Sequence, residues 1–179
     1  MENQTIKFAY FGGGCFWCTE AIFKNIQGVI STCPGYAAGQ MAHPSYEQVC
    51  SGQTGHAEML RIEYDQNIIS FEKLLEIFFV THDPTTVNRQ GNDIGSQYRS
   101  IILYTDAEQQ HTAQYFITKI AKDFSLPIVT ELKPFSVFYE AEEYHHDYFF
   151  RNPTQAYCQI TINPKLQKLK AKYSSLLKN

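Results

Sequence analysis

The order of hydrophobic periodicities over the first hundred residues constrains this chain more than any other feature. Ile6 to Phe11 is a short apolar run that ends in three glycines and reads as a strand. From Cys15 to Ile26 the spacing turns helical, with Cys18, Ile22 and Ile26 on one stripe and Gly28 just beyond. Val29 to Cys33 reads as a second strand interrupted by Pro34-Gly35, followed by a polar loop to about Gly55. His56 to Asp65 then alternates, with Leu60, Ile62 and Tyr64 on one face and Arg61 and Glu63 on the other. Ser70 is placed to cap a helix in which Phe71, Leu74, Leu75, Phe78 and Phe79 recur at helical spacing. Arg99 to Tyr104 returns as an apolar strand. Strand, helix, strand, strand, helix, strand is the split β-α-β unit. The expected fold is therefore α+β: a ferredoxin-like α/β sandwich with a β-α-β-β-α-β core and additional helices and loops.

Beyond Tyr104, Asp106 and Gln109 open a helix whose stripe is Ala113, Phe116, Ile117, Ile120, Ala121 and Phe124. Ile128 to Tyr139 reads extended, and Ala141 to Phe150 helical with Tyr144, His145, Tyr148 and Phe149 inward. Asn163-Pro164 starts a last helix, with Leu166, Leu169, Tyr173 and Leu176 as its apolar side. His82 to Gln97 stands apart, rich in Asn, Asp, Gly and Gln with almost nothing to bury. A loop this long in a compact domain is usually functional or disordered. No repeat or linker divides the 179 residues, so one catalytic domain over 1–179 is expected.

A net charge of −3 gives no reason to expect nucleic acid as a partner. The basic cluster Lys165, Lys168, Lys170, Lys172 and Lys178 reads as a solvated helix face. The first residues lack a signal-peptide pattern and no run reaches membrane-spanning length, so a cytoplasmic, monomeric protein without membrane association is expected. In that setting five cysteines point to thiol chemistry, metal binding or plain core, not to a disulfide framework.

The thiol with the clearest role is Cys15, in Gly12-Gly13-Gly14-Cys15-Phe16-Trp17-Cys18. A cysteine at the first turn of a helix faces unpaired backbone N–H groups and the positive end of the dipole, which favour the nucleophilic thiolate. Cys18, one turn on, is within reach of a disulfide with Cys15, or packs with Ile22 and Ile26. Phe16 and Trp17 either line an apolar slot beside the sulfur or belong to the core. Glu58 shares the parity of Leu60, Ile62 and Tyr64. Inward burial would raise its pKa and suit it to donate a proton, while an exposed or ion-paired position would leave it ordinary.

Four separated segments carry a resemblance: Gly14-Cys15-Phe16-Trp17; Gly35-Tyr36 with Pro44-Ser45-Tyr46; Cys50-Ser51-Gly52-Gln53-Thr54-Gly55-His56-Ala57-Glu58; and Gln90-Gly91-Asn92-Asp93-Ile94-Gly95-Ser96-Gln97-Tyr98-Arg99-Ser100. In this order they resemble the A-type peptide methionine sulfoxide reductases from about Ile6 to Lys165. The resemblance implies that Cys15 attacks the sulfoxide sulfur and Phe16 and Trp17 hold its methyl group. It implies that Glu58 protonates the oxygen, Tyr46 and Tyr98 help bind it, and Asp93 belongs to the substrate site. It further implies the S epimer of methionine sulfoxide, free or in proteins, as substrate. It implies thioredoxin as the external reductant, and no bound cofactor or metal is expected.

The match departs at Cys18, where the commonest motif has Gly, and in the tail, where a glycine-rich segment with resolving cysteines is replaced by Asn152-Pro153-Thr154-Gln155-Ala156-Tyr157-Cys158. Cys18 and Cys158 are both candidate resolving cysteines, with Cys18 favoured by proximity. Cys33 and Cys50 read as structural. Two rival readings are a thioredoxin-like dithiol–disulfide oxidoreductase built on Cys15 and Cys18, and a metal-binding module. The second is disfavoured by the lack of another Cys-x-x-Cys and by the roughly 100° between His145 and His146 on a helix. His145 itself reads as a hydrogen-bonded core histidine.

Overall fold

A computed structural model describes residues 5–178. The chain runs β1 (Ile6–Gly12), α1 (Phe16–Phe23), β2 (Val29–Ala37), α2 (Tyr46–Cys50), β3 (Ala57–Asp65) and α3 (Phe71–Thr81). It continues through a small hairpin, β4 (Arg89–Gln90) and β5 (Asp93–Ile94), to β6 (Ile101–Tyr104) and α4 (Ala107–Ile120). Then come β7 (Glu131–Pro134), β8 (Phe138–Glu140), α5 (Tyr148–Arg151) and α6 (Asn163–Tyr173).

The main sheet has the order β7-β6-β1-β3-β2-β8. Its four inner strands, β6-β1-β3-β2, pair antiparallel as the split β-α-β unit requires, so the ferredoxin-like sandwich expected from the periodicities is the fold. The later strands extend it at both edges, β7 parallel to β6 and β8 antiparallel to β2.

One face of the sheet carries the principal core. Phe11, Leu60, Ile62, Tyr64 and Ile102 pack against Phe23 of α1, Leu75 and Phe78 of α3, Phe116 of α4 and Leu169 of α6. Each such side chain contributes about 1.5–3 kcal/mol on burial. The helix starts follow from capping. Ser70 Oγ accepts the Lys73 N–H at 3.2 Å and the Asp106 carboxylate accepts that of Gln109 at 2.8 Å.

Several local expectations are corrected. Pro34-Gly35 does not break β2, which pairs with β3 through to Ala37, because Pro34 there needs no donated hydrogen bond. Helix α1 stops at Phe23, and Ile26 instead bridges to Leu177. Helix α4 stops at Ile120, leaving Ala121 exposed. The polar loop before Gly55 contains α2, held by a full capping box between Ser45 and Gln48. The segment Ala141 to Phe150 is not one helix: a 3-10 turn at Glu143–His145 and the short α5 are separated by Asp147 in the left-handed region at φ 55°. Tyr144 consequently faces solvent, while His145 is fully buried.

Candidate active site

The end of β1 delivers the thiol. Gly14 has φ +90°, and a Cβ there would stand 2.7 Å from Cγ of Gln90, so only glycine fits this turn. Its N–H donates to the Tyr98 carbonyl at 3.1 Å, clamping the Gly-rich turn to the far loop. Cys15 is the N-cap of α1 and is only 7% exposed. Cys18 lies one turn further on, also buried, and both cysteines share an apolar cluster with Phe16, Tyr36 and Cys158. Among the described residues all five cysteines are free thiols.

Glu58 comes from the start of β3 and is 1% exposed. Its Oε2 accepts the Phe16 N–H at 3.0 Å, which ties the carboxyl to the first turn of α1. Burial pushes its pKa up to about 8; the negative charges of Asp93 and Cys18 act in the same direction, against the hydrogen bonds from Phe16 and Cys15. A carboxylic acid that keeps its proton at neutral pH thus sits beside the Cys15 thiol.

The two thiols divide their proton differently from what the helix start alone suggests. Burial first, then the hydrogen bond that Cys15 gives Cys18 and the nearby Glu58 charge, raise the Cys15 pKa well above its ordinary value, and the Trp17 backbone N–H only partly offsets this. Cys18 is lowered to about 7, chiefly by that same hydrogen bond, with Lys165 and the Tyr157 hydroxyl helping against burial. Of the two thiols, Cys18 is thus the one more readily ionised. Lys165, read from spacing as part of a solvated face, is half-buried, and its charge acts on Cys18.

Rings enclose the pair. Phe16 is 1% exposed, packed on Tyr36 and His145, so it is both core and floor of the site. Trp17 is half-buried and stacks face to face on Tyr148, with centroids 3.6 Å apart. Tyr46 and Tyr98 are half-buried, and burial, with the Glu58 charge among the further causes, raises both phenols. Asp93 accepts a 2.7 Å hydrogen bond from Tyr157, whose oxygen also lies 3.6 Å from the Cys18 sulfur. All seven residues expected around the substrate thus converge, along with Cys18 and Cys158. Tyr157 forms one wall of a cleft of about 580 Å³ that Asp93 and Lys165 also line.

The polar stretch His82 to Gln97 buries more than its composition suggests. Gln90 is buried, its side-chain amide closing a pair of 3.0 Å bonds with the backbone of Asp83. Arg99 reaches the carbonyls of Ser96 and Gly55 and pairs with Glu131 at 3.1 Å, joining two of the sequence segments. His56 accepts from the Gly39 N–H and contacts the Met41 carbonyl, fixing the turn before Glu58. Sequence reasoning gave no site role to His145, Tyr148, Tyr157 or Glu20. Only the aromatic spacing of 144–149 and the neighbourhood of Cys158 hinted at them.

The only metal-like group among the described residues is Cys33, Glu140 and His146, with ligand atoms within 4.8 Å of one another. The Nε2 of His146 is engaged with the Ala141 carbonyl at 3.0 Å, and the Arg61 guanidinium acts on Cys33. That edge of the sheet lies apart from the thiol cluster.

A buried cysteine at a helix start, a carboxylic acid with a raised pKa beside it and the surrounding rings are the groups that a thiol enzyme needs to act on a centre whose oxygen must be protonated to leave. The family model described as "Peptide methionine sulfoxide reductase" matches residues 7–177. A peptide methionine sulfoxide reductase MsrA of Saccharolobus solfataricus is 54% identical over 163 residues, 91% of this chain and 92% of that protein. Mxr1 from Saccharomyces cerevisiae in reduced form has TM-score 0.83 and 32% identity, covering 88% of this chain and 91% of that one. Mxr1 in complex with Trx2 has TM-score 0.60 and 23% identity over 82% and 87% of the two chains. The chain belongs to the peptide methionine sulfoxide reductase family.

Proposed function

We propose that this enzyme reduces the S epimer of methionine sulfoxide, free or in proteins, through Cys15 and Glu58 within one catalytic domain. The observation that carries the reading is the buried Glu58 carboxyl, pKa about 8, tied to the same helix turn as the thiol. As substrate enters, the Cys15 proton passes along its hydrogen bond toward the Cys18 sulfur and the Cys15 sulfur attacks the sulfoxide sulfur. Glu58 gives its proton to the oxygen, with Tyr46 and Tyr98 donating to it. The sulfur–oxygen bond of the substrate is exchanged for one on Cys15: methionine leaves and Cys15 becomes a sulfenic acid. Phe16 and Trp17 hold the methyl group, and Asp93 with Tyr157 borders the rest of the substrate.

Cys18, already hydrogen-bonded to Cys15, condenses with the sulfenic acid and releases water. Cys158 faces Cys18 across the cluster and takes the bridge over from it. A thioredoxin-type dithiol then clears the disulfide; the related yeast Mxr1 forms a complex with Trx2. A dithiol–disulfide oxidoreductase would leave Glu58, Tyr46, Asp93 and Tyr98 without work.

Turnover of the two sulfoxide epimers with thioredoxin tests reaction, stereochemistry and recycling together. Reduction of the S epimer alone, abolished in Cys15→Ser, is the expected result; full activity in that variant defeats the reading.

A further inference from the structure

The edge where β8 joins β2 brings three chemically different donors together. The Cys33 thiol from β2, the Glu140 carboxylate from the end of β8 and the His146 imidazole from just beyond the 3-10 turn present ligand atoms within 4.8 Å of one another. Strand pairing sets this meeting. Gly35 stands opposite Glu140 in the β2–β8 register, Cys33 shares the face of Gly35, and the Ala141 N–H donates to the Pro34 carbonyl at 2.9 Å. The reaction proposed above uses none of these groups.

Nε2 of His146 lies 3.0 Å from the Ala141 carbonyl and 3.6 Å from Oε1 of Glu140. A carbonyl only accepts, so Nε2 carries the proton of the neutral imidazole. Around a tetrahedral zinc ion, bonds of about 2.0–2.3 Å leave ligand atoms roughly 3.3–3.6 Å apart. The nitrogen and the carboxylate oxygen already have that separation, and the sulfur needs a shift of no more than roughly 1.3 Å. Cys33 is buried, His146 half-buried and Glu140 exposed, so an ion has a path in from the carboxylate side. Burial pushes the Cys33 thiol up to about 12 against the Arg61 guanidinium, which is held 5.3 Å over the Phe138 ring; Glu140 and Glu20 add to the rise. As a nucleophile this thiol is inert at neutral pH. A metal ion that replaces its proton changes that balance, because a coordinating thiol is deprotonated outright.

We propose that Cys33, Glu140 and His146 form a binding site for a zinc-class divalent cation, which staples β8 and the turn after it to β2. Binding one Zn²⁺ forms a zinc–sulfur bond and releases the Cys33 proton to solvent. The imidazole proton moves from Nε2 to Nδ1, so His146 stays neutral and Nε2 becomes a ligand. The thiolate and the carboxylate together match the two positive charges of the ion. A sulfur, a nitrogen and an oxygen donor select zinc over Mg²⁺ and Ca²⁺, which take oxygen ligands.

Equilibrium dialysis of the reduced full chain against Zn²⁺, read as metal bound per chain, tests this. The thiols of the active site are themselves able to hold zinc, so the measurement is paired with the Cys15→Ser/Cys18→Ser double variant. One Zn²⁺ per chain is expected in that variant, lost when Cys33→Ser or His146→Gln is added. Co²⁺ in place of zinc should show a thiolate-to-metal charge-transfer band that Cys33→Ser abolishes. Tm should rise with Zn²⁺ in the double variant and stay constant once Cys33→Ser is added. Native methionine sulfoxide reduction by the single Cys33→Ser chain in EDTA shows that this substitution leaves the fold intact. Glu140→Gln, on the exposed side, carries the same comparison without touching the core, and weaker Zn²⁺ binding is expected. Zinc that is lost with Cys15 and Cys18 but kept in Cys33→Ser overturns the proposal. So does the absence of stoichiometric binding, or equal uptake of Mg²⁺.

Discussion

At the scale of single residues, the chemistry turns on a carboxylic acid kept neutral and a thiol pair kept partly ionised. As the proposed acid, Glu58 acts in its protonated form. Its raised pKa keeps that form populated until pH climbs through about 8, so the rate falls above this pH. The thiol pair must carry one negative charge, so the rate falls below about 7, where Cys18 takes up its proton. A bell-shaped profile of kcat/KM with limbs near these values is expected from initial rates measured across pH. Glu58→Gln should slow the chemical step by roughly 10²–10⁴-fold and erase the alkaline limb; an alkaline limb that survives in this variant assigns it to another group.

At the scale of elements, the site depends on segments that cross α1 from the C-terminal side. Glu20 ties the 141–151 segment to that helix, and Glu20→Ala strands the Asp147 N–H and the Thr32 hydroxyl in a buried place. A loss of about 1–3 kcal/mol is expected in urea unfolding. Tyr157 reaches from the following segment to both Asp93 and Cys18. Removing its hydroxyl in Tyr157→Phe takes away one group that lowers the Cys18 pKa, so the midpoint of thiol alkylation against pH should move above about 7. A midpoint left in place would mean that Cys15 and Lys165 alone set it. The Glu20–Asp147 and Tyr157–Cys18 contacts join positions more than a hundred residues apart, and Tyr157–Asp93 spans 64, which is why spacing along the chain gave them no weight.

At the scale of the whole molecule, β1, α1 and β3 bring nucleophile and acid together, while the loop after α3 and the C-terminal tail close over them. One turnover without reductant should therefore consume two of the five thiols. Peptide mapping then orders the bridges. A Cys15–Cys18 pair is expected in Cys158→Ser, and a bridge to Cys158 in the native chain. A Cys15–Cys158 pair as the first product in native enzyme would make Cys18 a proton acceptor only.

Much of this was legible from local pattern. Period-two alternation at 57–65 and helical spacing at 71–79 gave the layers of the sandwich, because each element must bury one face. The glycines before Cys15 marked a reactive thiol, because a backbone turn is a short-range property, whereas parity left the burial of Glu58 open and the family resemblance supplied its role as acid. The sequence by itself thus determined the core topology and, through its resemblance to a family, which residues to look for in the site. Only the tertiary structure decided that Cys15 is raised and Cys18 lowered in pKa, that Trp17 leans on His145, and that Tyr157 and Lys165 act on Cys18. Those outcomes depend on desolvation and on hydrogen bonds between distant segments, and neither leaves a period in the chain.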